Sequence, residues 1–143
     1  MSVRTGSGLA ILLVVALFAA ALDYVGRQSR PQHFVIPFQT GVEIASEAAG
    51  TIDVIAGEML RQPDYVAVVE GHTGPRGDPE MNQALSLERA GRVAADLAQK
   101  GVSRDRIQTL GAGGAAPLPQ QPDEGSRSYS RRLRRVEVTL TRQ

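Results

Sequence analysis

A chain of 143 residues suits one folded domain with a short appendage. Hydrophobic content of 42% and charged content of 22% exclude bulk disorder, and a formal charge of +1 gives no net pull toward nucleic acid or acidic lipid. The absence of cysteine excludes disulfides, thiolate metal sites, a cysteine nucleophile and a lipoprotein anchor on these residues. Aromatic residues make up only 4%, so a core must rest on Val, Ile, Leu and Ala.

Met1 to Gly8 is polar with one cation, Arg4, and every residue from Leu9 to Leu22 is apolar (LAILLVVALFAAAL). The cation, the apolar run and the small triplet Ala19-Ala20-Ala21 follow the order of a secretory signal. The run is shorter than the roughly 20 residues that cross a bilayer comfortably. Extending it through Gly26 reaches that length and takes in Asp23, an acid that can sit among headgroups. A cleaved signal peptide and an uncleaved signal anchor, the N-terminal hydrophobic helix of a membrane-held protein, both fit residues 1–26. Either places Asp23 onward outside the cytoplasm. A buried core helix would show a polar face, and this run has none. Residues 27–32 read as a linker, and residues 33–143 as the globular domain.

His33 to Phe38 (HFVIPF) predicts a strand in which Pro37 weakens the end or marks an edge. After a turn at Gln39-Thr40-Gly41, Ile44, Ala48, Ile52, Ile55 and Met59 recur at helical spacing and predict a helix over 42–61, with Gly50 weakening its middle. Tyr65 to Glu70 (YVAVVE) is a nearly continuous apolar strand, as expected where both faces are covered. A glycine-rich loop spans 71–77. Asp78-Pro79-Glu80 then starts a second helix, with Asp as N-cap and Pro at the first helical position. That helix runs to about Lys100, and Gly101 ends it. Ile107 to Leu110 predicts a third strand, Gly111 to Gly125 a surface loop, and Val136 to Leu140 (VEVTL) an alternating last strand. The fold expected is α/β, a sandwich of a mixed sheet with helices packed on it in the order β-α-β-α-β-β. Its first three strands run largely parallel.

Glu70 to Ala90 reads EGHTGPRGDPEMNQALSLERA. It resembles, without gaps, the OmpA-like signature G-H-T-D-x-x-G-x-x-x-x-N-x-x-L-S-x-x-R-A, through Gly71, His72, Thr73, Gly77, Asn82, Leu85, Ser86, Arg89 and Ala90. Gly111 and Gly113 resemble the family's G-x-G, and Arg134 to Glu137 its closing R-R-V-E. The resemblance implies a non-enzymatic envelope protein that anchors membrane to cell wall by binding the diaminopimelate of peptidoglycan noncovalently, with no cofactor. The implied ligand residues are Thr73, Gly74, Asp78, Asn82, Leu85, Arg89 and Arg135. Arg89 would clamp a carboxylate with its planar guanidinium, and the helix N-terminus would add backbone donors. The sequence departs from the pattern at two positions: Gly74 stands where the family has Asp, and Leu133 where it has Asn. Asp78 offers a carboxylate in the same loop, or serves simply as the N-cap.

Other readings compete with these assignments. Arg89 alone would be an exposed helical arginine whose removal leaves folding nearly intact. His72 and His33, with no cysteine, make a poor metal site, and His72 is expected instead to hydrogen-bond in its turn. Ser86 has no nearby His, and Gly111-Ala112-Gly113-Gly114 has no Lys-Ser or Lys-Thr after it, so neither a nucleophile nor a phosphate loop is expected. The cluster of Arg127, Arg131, Arg132, Arg134, Arg135 and Arg142 permits a phosphate-binding role, which export from the cytoplasm disfavours for nucleic acid. Flagellar stator proteins join a membrane helix to a similar domain, so a motor or secretion-complex subunit, an envelope protein partner or a homodimer is the alternative.

Overall fold

The computed structural model describes residues 15–17, residue 20 and residues 30–143. Residues 15–17 and 20 are helical; the rest of the signal or anchor segment lies outside the described residues. Among the described residues no helix is long and apolar enough to cross a membrane.

Four strands form one sheet: β1 Gln32–Pro37, β2 Tyr65–His72, β3 Ile107–Gly111 and β4 Arg135–Arg142. Their spatial order is β1-β4-β2-β3. β2 and β3 pair in parallel, whereas β4 lies antiparallel to both β1 and β2. The first three strands therefore share a direction, but only β2 and β3 are neighbours. Pro37 closes the edge strand β1, where its missing amide donor costs nothing.

The helices are α1 Ala49–Arg61, α2 Pro79–Gln99 and α3 Ser126–Leu133. The first begins later than residue 42, the start its apolar spacing suggests. Gly41 adopts a positive φ of 49°, the Glu43 amide donates to Thr40, and the Gln39 amide donates to the Glu43 carbonyl. This turn sends Ile44 back against Phe38 as an antiparallel bridge, and a 3-10 turn at Ser46–Ala48 leads into the helix. Gly50 thus occupies the first turn of α1 and not its middle. The short α3, absent from the expected elements, lies between the surface loop and β4.

The core joins Ile52, Ile55 and Met59 of α1, Ala90, Val93 and Leu97 of α2, and Ala67, Val69, Val136, Val138 and Leu140 of the sheet. Each buried Val, Ile, Leu or Met among these contributes roughly 1.5–3 kcal/mol. β2 alternates, however: Tyr65, Ala67 and Val69 are buried while Val66 and Val68 are half-buried. Its apolar run suggested cover on both faces, but the α1–α2 core packs against one. Arg106 ties α1 to β2, its guanidinium donating to the carbonyls of Met59, Gln62 and Tyr65, each at 2.8 Å.

Candidate functional site

The loop after β2 must pass close to α2, and the sequence supplies what that requires. The Asp78 carboxylate accepts from the Met81 amide at 2.9 Å and caps α2, with Pro79 at its first position. Asn82 reaches back from the first turn to donate to the Arg76 carbonyl at 3.0 Å, and the Thr73 amide donates to Gly113 at 2.8 Å. The β2–α2 loop is therefore fastened both to its own helix and to the chain after β3.

Between this loop, α2 and α3 lies a pocket of about 350 Å³. Its wall comprises Thr73, Gly74, Pro75, Arg76, Asn82, Leu85, Arg89, Gln120, Ser126, Tyr129, Ser130, Leu133 and Arg134. Five residues singled out from the sequence thus meet here: Thr73, Gly74, Asn82, Leu85 and Arg89. Asp78 and Arg135 are not in the wall. Asp78 is turned to its capping bond, and Arg135 points to Glu137, donating from Nε at 2.6 Å. Arg135 opens β4, whereas Arg134 precedes the strand, at the end of α3, and lines the pocket.

Arg89 is not the exposed helical residue its position alone suggested. It is 2% exposed; Nε donates to the Gly41 carbonyl at 2.7 Å and Nη1 to the His72 carbonyl at 2.9 Å. The guanidinium also lies 5.6 Å from the centroid of the Phe38 ring. Burial, and then the Arg134 charge, lower its pKa from the usual arginine value, yet an arginine in a protein keeps its proton. Among the described residues no carboxylate lies within 4 Å of Arg76, Arg89 or Arg134, and the buried Nε of Arg134 has no hydrogen-bond partner. Two neutral carbonyls accept from Arg89 but do not neutralise its charge. The pocket suits an anion, and a carboxylate matches the guanidinium fork.

Three of the six C-terminal arginines are paired with acids. Arg132 donates to both carboxylate oxygens of Glu124 at 2.7 Å, which holds that carboxyl at about 2. Arg142 pairs with Asp64 at 3.1 Å, and Arg135 pairs with Glu137. Gln120, Ser126, Tyr129 and Ser130 escaped sequence reasoning. The signal available for α3 was the four-residue spacing of Tyr129 and Leu133 among arginines and serines. His72 is buried outside the pocket wall, its Nε2 3.9 Å from Glu137. The turn hydrogen bond expected of its ring is not formed among the described residues; the turn is held by backbone and by Arg89 instead. No cluster of His, Asp and Glu among the described residues could hold a metal ion.

A sheet of order β1-β4-β2-β3 under two helices, with a buried arginine facing a pocket at the end of β2, defines an OmpA-like domain. The family model for the OmpA family matches residues 39–131, and the chain belongs to that family. A peptidoglycan-associated lipoprotein of Haemophilus influenzae is 36% identical over 90 residues, which cover 63% of this chain and 59% of the relative. The crystal structure of the peptidoglycan-associated lipoprotein from Burkholderia pseudomallei superposes with a TM-score of 0.67 at 20% identity, covering 75% of this chain and 89% of that one. The periplasmic domain of Helicobacter pylori MotB does so with a TM-score of 0.63 at 20% identity, covering 80% and 78%. These two likenesses establish the fold. The chain spans between half and three-fifths of the length of the first curated relatives it matches.

Proposed function

We propose that residues 33–143 hold peptidoglycan noncovalently, without catalysis, by clamping a free carboxylate of its peptide stem between Arg89 and Arg134. The observation that carries this reading is the buried, hydrogen-bonded Arg89 facing a pocket that offers its charge no acidic partner. Leaving a buried cation uncompensated is costly, and a ligand carboxylate relieves that cost. The curated relatives named peptidoglycan-associated lipoprotein support the same ligand. Residues 1–26 would direct the chain to a membrane and, where uncleaved, tether it there. The domain would then stand on the periplasmic side and link membrane to wall.

Sedimentation of the full chain with purified peptidoglycan sacculi tests this. Wild type is expected in the pellet, and Arg134→Gln, which keeps the bulk of the side chain without its charge, is expected to bind about tenfold more weakly. A folded wild type that stays wholly in the supernatant would falsify the reading and leave a protein-interaction module, the alternative that Gly74 favours by removing the family's acid.

A further inference from the structure

The pocket wall has arginines at three positions and no aspartate or glutamate. An ammonium group entering it would exchange its hydration for neutral acceptors while facing unpaired cations. The acid nearest in sequence, Asp78, lies outside the wall and caps α2. In its place the pocket has apolar surface. A Cβ on Gly74 would meet Leu133 Cδ1 at 3.6 Å, so the two positions that depart from the family pattern are neighbours in space. Leu133 is buried, and Leu85 lines the same pocket. The wall thus offers guanidinium groups and the hydrocarbon of Leu85 and Leu133, and no carboxylate for a cationic group.

We infer that the pocket selects a carboxylate whose neighbouring nitrogen is acylated and whose substituent is small and apolar. The terminal alanine of a peptide stem has this chemistry, and the free ammonium and carboxylate of diaminopimelate do not. The inference rests on the peptidoglycan reading and specifies which end of the stem enters the pocket. The amide nitrogen of such a terminus carries no charge, its carboxylate takes the arginines, and its methyl group packs beside Leu133.

Calorimetric titration of the full chain in detergent, with N-acetyl-D-alanyl-D-alanine, its C-terminal amide and free meso-diaminopimelate, tests the selection. The acetylated acid is expected to bind at least about tenfold more tightly than diaminopimelate, and the amide to bind too weakly to measure. Gly74→Asp is expected to narrow or reverse that ratio, whereas Gly74→Ala, with the same Cβ and no charge, is expected to keep it. Diaminopimelate binding as tightly as the acetylated acid, or a ratio that Gly74→Asp does not move, overturns the inference; retention on sacculi in the same preparation leaves the peptidoglycan reading standing. Binding of the acetylated acid without retention on sacculi overturns the peptidoglycan reading instead and reassigns the same chemistry to a protein C-terminus. Binding of neither probe overturns the selection outright.

Discussion

Gly71 on β2 and Ser86 on α2 approach so closely that a Cβ at residue 71 would lie 1.8 Å from the Ser86 carbonyl oxygen. No side chain can occupy that space, and the obstacle is helix backbone that cannot rotate away. Gly71→Ala is therefore expected to destabilise the domain by at least about 3 kcal/mol, since overpacking here forces a backbone shift. Gly91→Ala is the contrast: it sits inside α2 with nothing within 4 Å of its Cβ position, and is expected to add about 0.4–1 kcal/mol. Urea unfolding of the two variants checks both signs.

The Ser86 hydroxyl accepts from the Gly113 amide at 2.9 Å and donates to the Gln83 carbonyl at 2.8 Å, fully buried. Ser86→Ala strands the amide, at a cost of about 1–3 kcal/mol. Faster hydrogen exchange at Gly113 and its neighbours would accompany the loss, because that bond fastens the loop after β3 to α2.

Arg89→Ala is expected to cost roughly 2–5 kcal/mol, since it abandons the carbonyls of Gly41 and His72 and opens a void beside Phe38. Thermal unfolding measures this directly. A lost sacculus interaction in Arg89→Ala thus has two causes mixed together, which is why Arg134→Gln is the cleaner probe of the ligand.

Asp78 separates capping from binding. Asp78→Asn is expected to leave both stability and sacculus binding unchanged, and Asp78→Ala to lower stability by about 1 kcal/mol. Loss of sacculus binding in a stable Asp78→Asn variant would show that this carboxylate touches the ligand.

Acid is expected to weaken the fold through His72 first. Burial, then the Arg135 charge, lower its pKa against the raising pull of Glu137 and Glu70. The unfolded chain therefore takes up the proton before the folded one, so stability complete above about pH 6.5 declines as the pH falls toward the lower folded value. Burial alone would raise the pKa of Glu137, but hydrogen bonds from Arg135 and His33 outweigh it, so its contribution disappears in more acid solution. Urea midpoints between about pH 8 and about pH 5 are expected to fall, and His72→Leu to flatten the upper part of that decline.

The order of elements was legible because each rests on local chemistry: Pro37 at an edge, the Asp78-Pro79 helix start, the alternation of Val136, Val138 and Leu140. The start of α1 was not, since the apolar spacing of Ile44 and Ala48 continues through a turn that only the pairing of Ile44 with Phe38 decides. Arg89 shows a similar limit at the site. Its position in the motif was plain, but its burial depends on two carbonyls, one of them 48 residues away in sequence. The choice between Arg134 and Arg135 needed the junction of α3 with β4, and the single apolar spacing in α3, Tyr129 to Leu133, is a short signal among arginines and serines.

Because β4 lies between β1 and β2 but follows both in sequence, the sheet cannot be completed before Arg135–Arg142 have been made. Until about residue 142 has been made, the two halves of the sheet have nothing to join them. A growing chain of this design stays open until β4 has been made, a state in which a polypeptide can be threaded through a translocation channel. By the same topology, a premature stop that removes β4 leaves no smaller version of the domain and exposes the inner edges of β1 and β2 to aggregation.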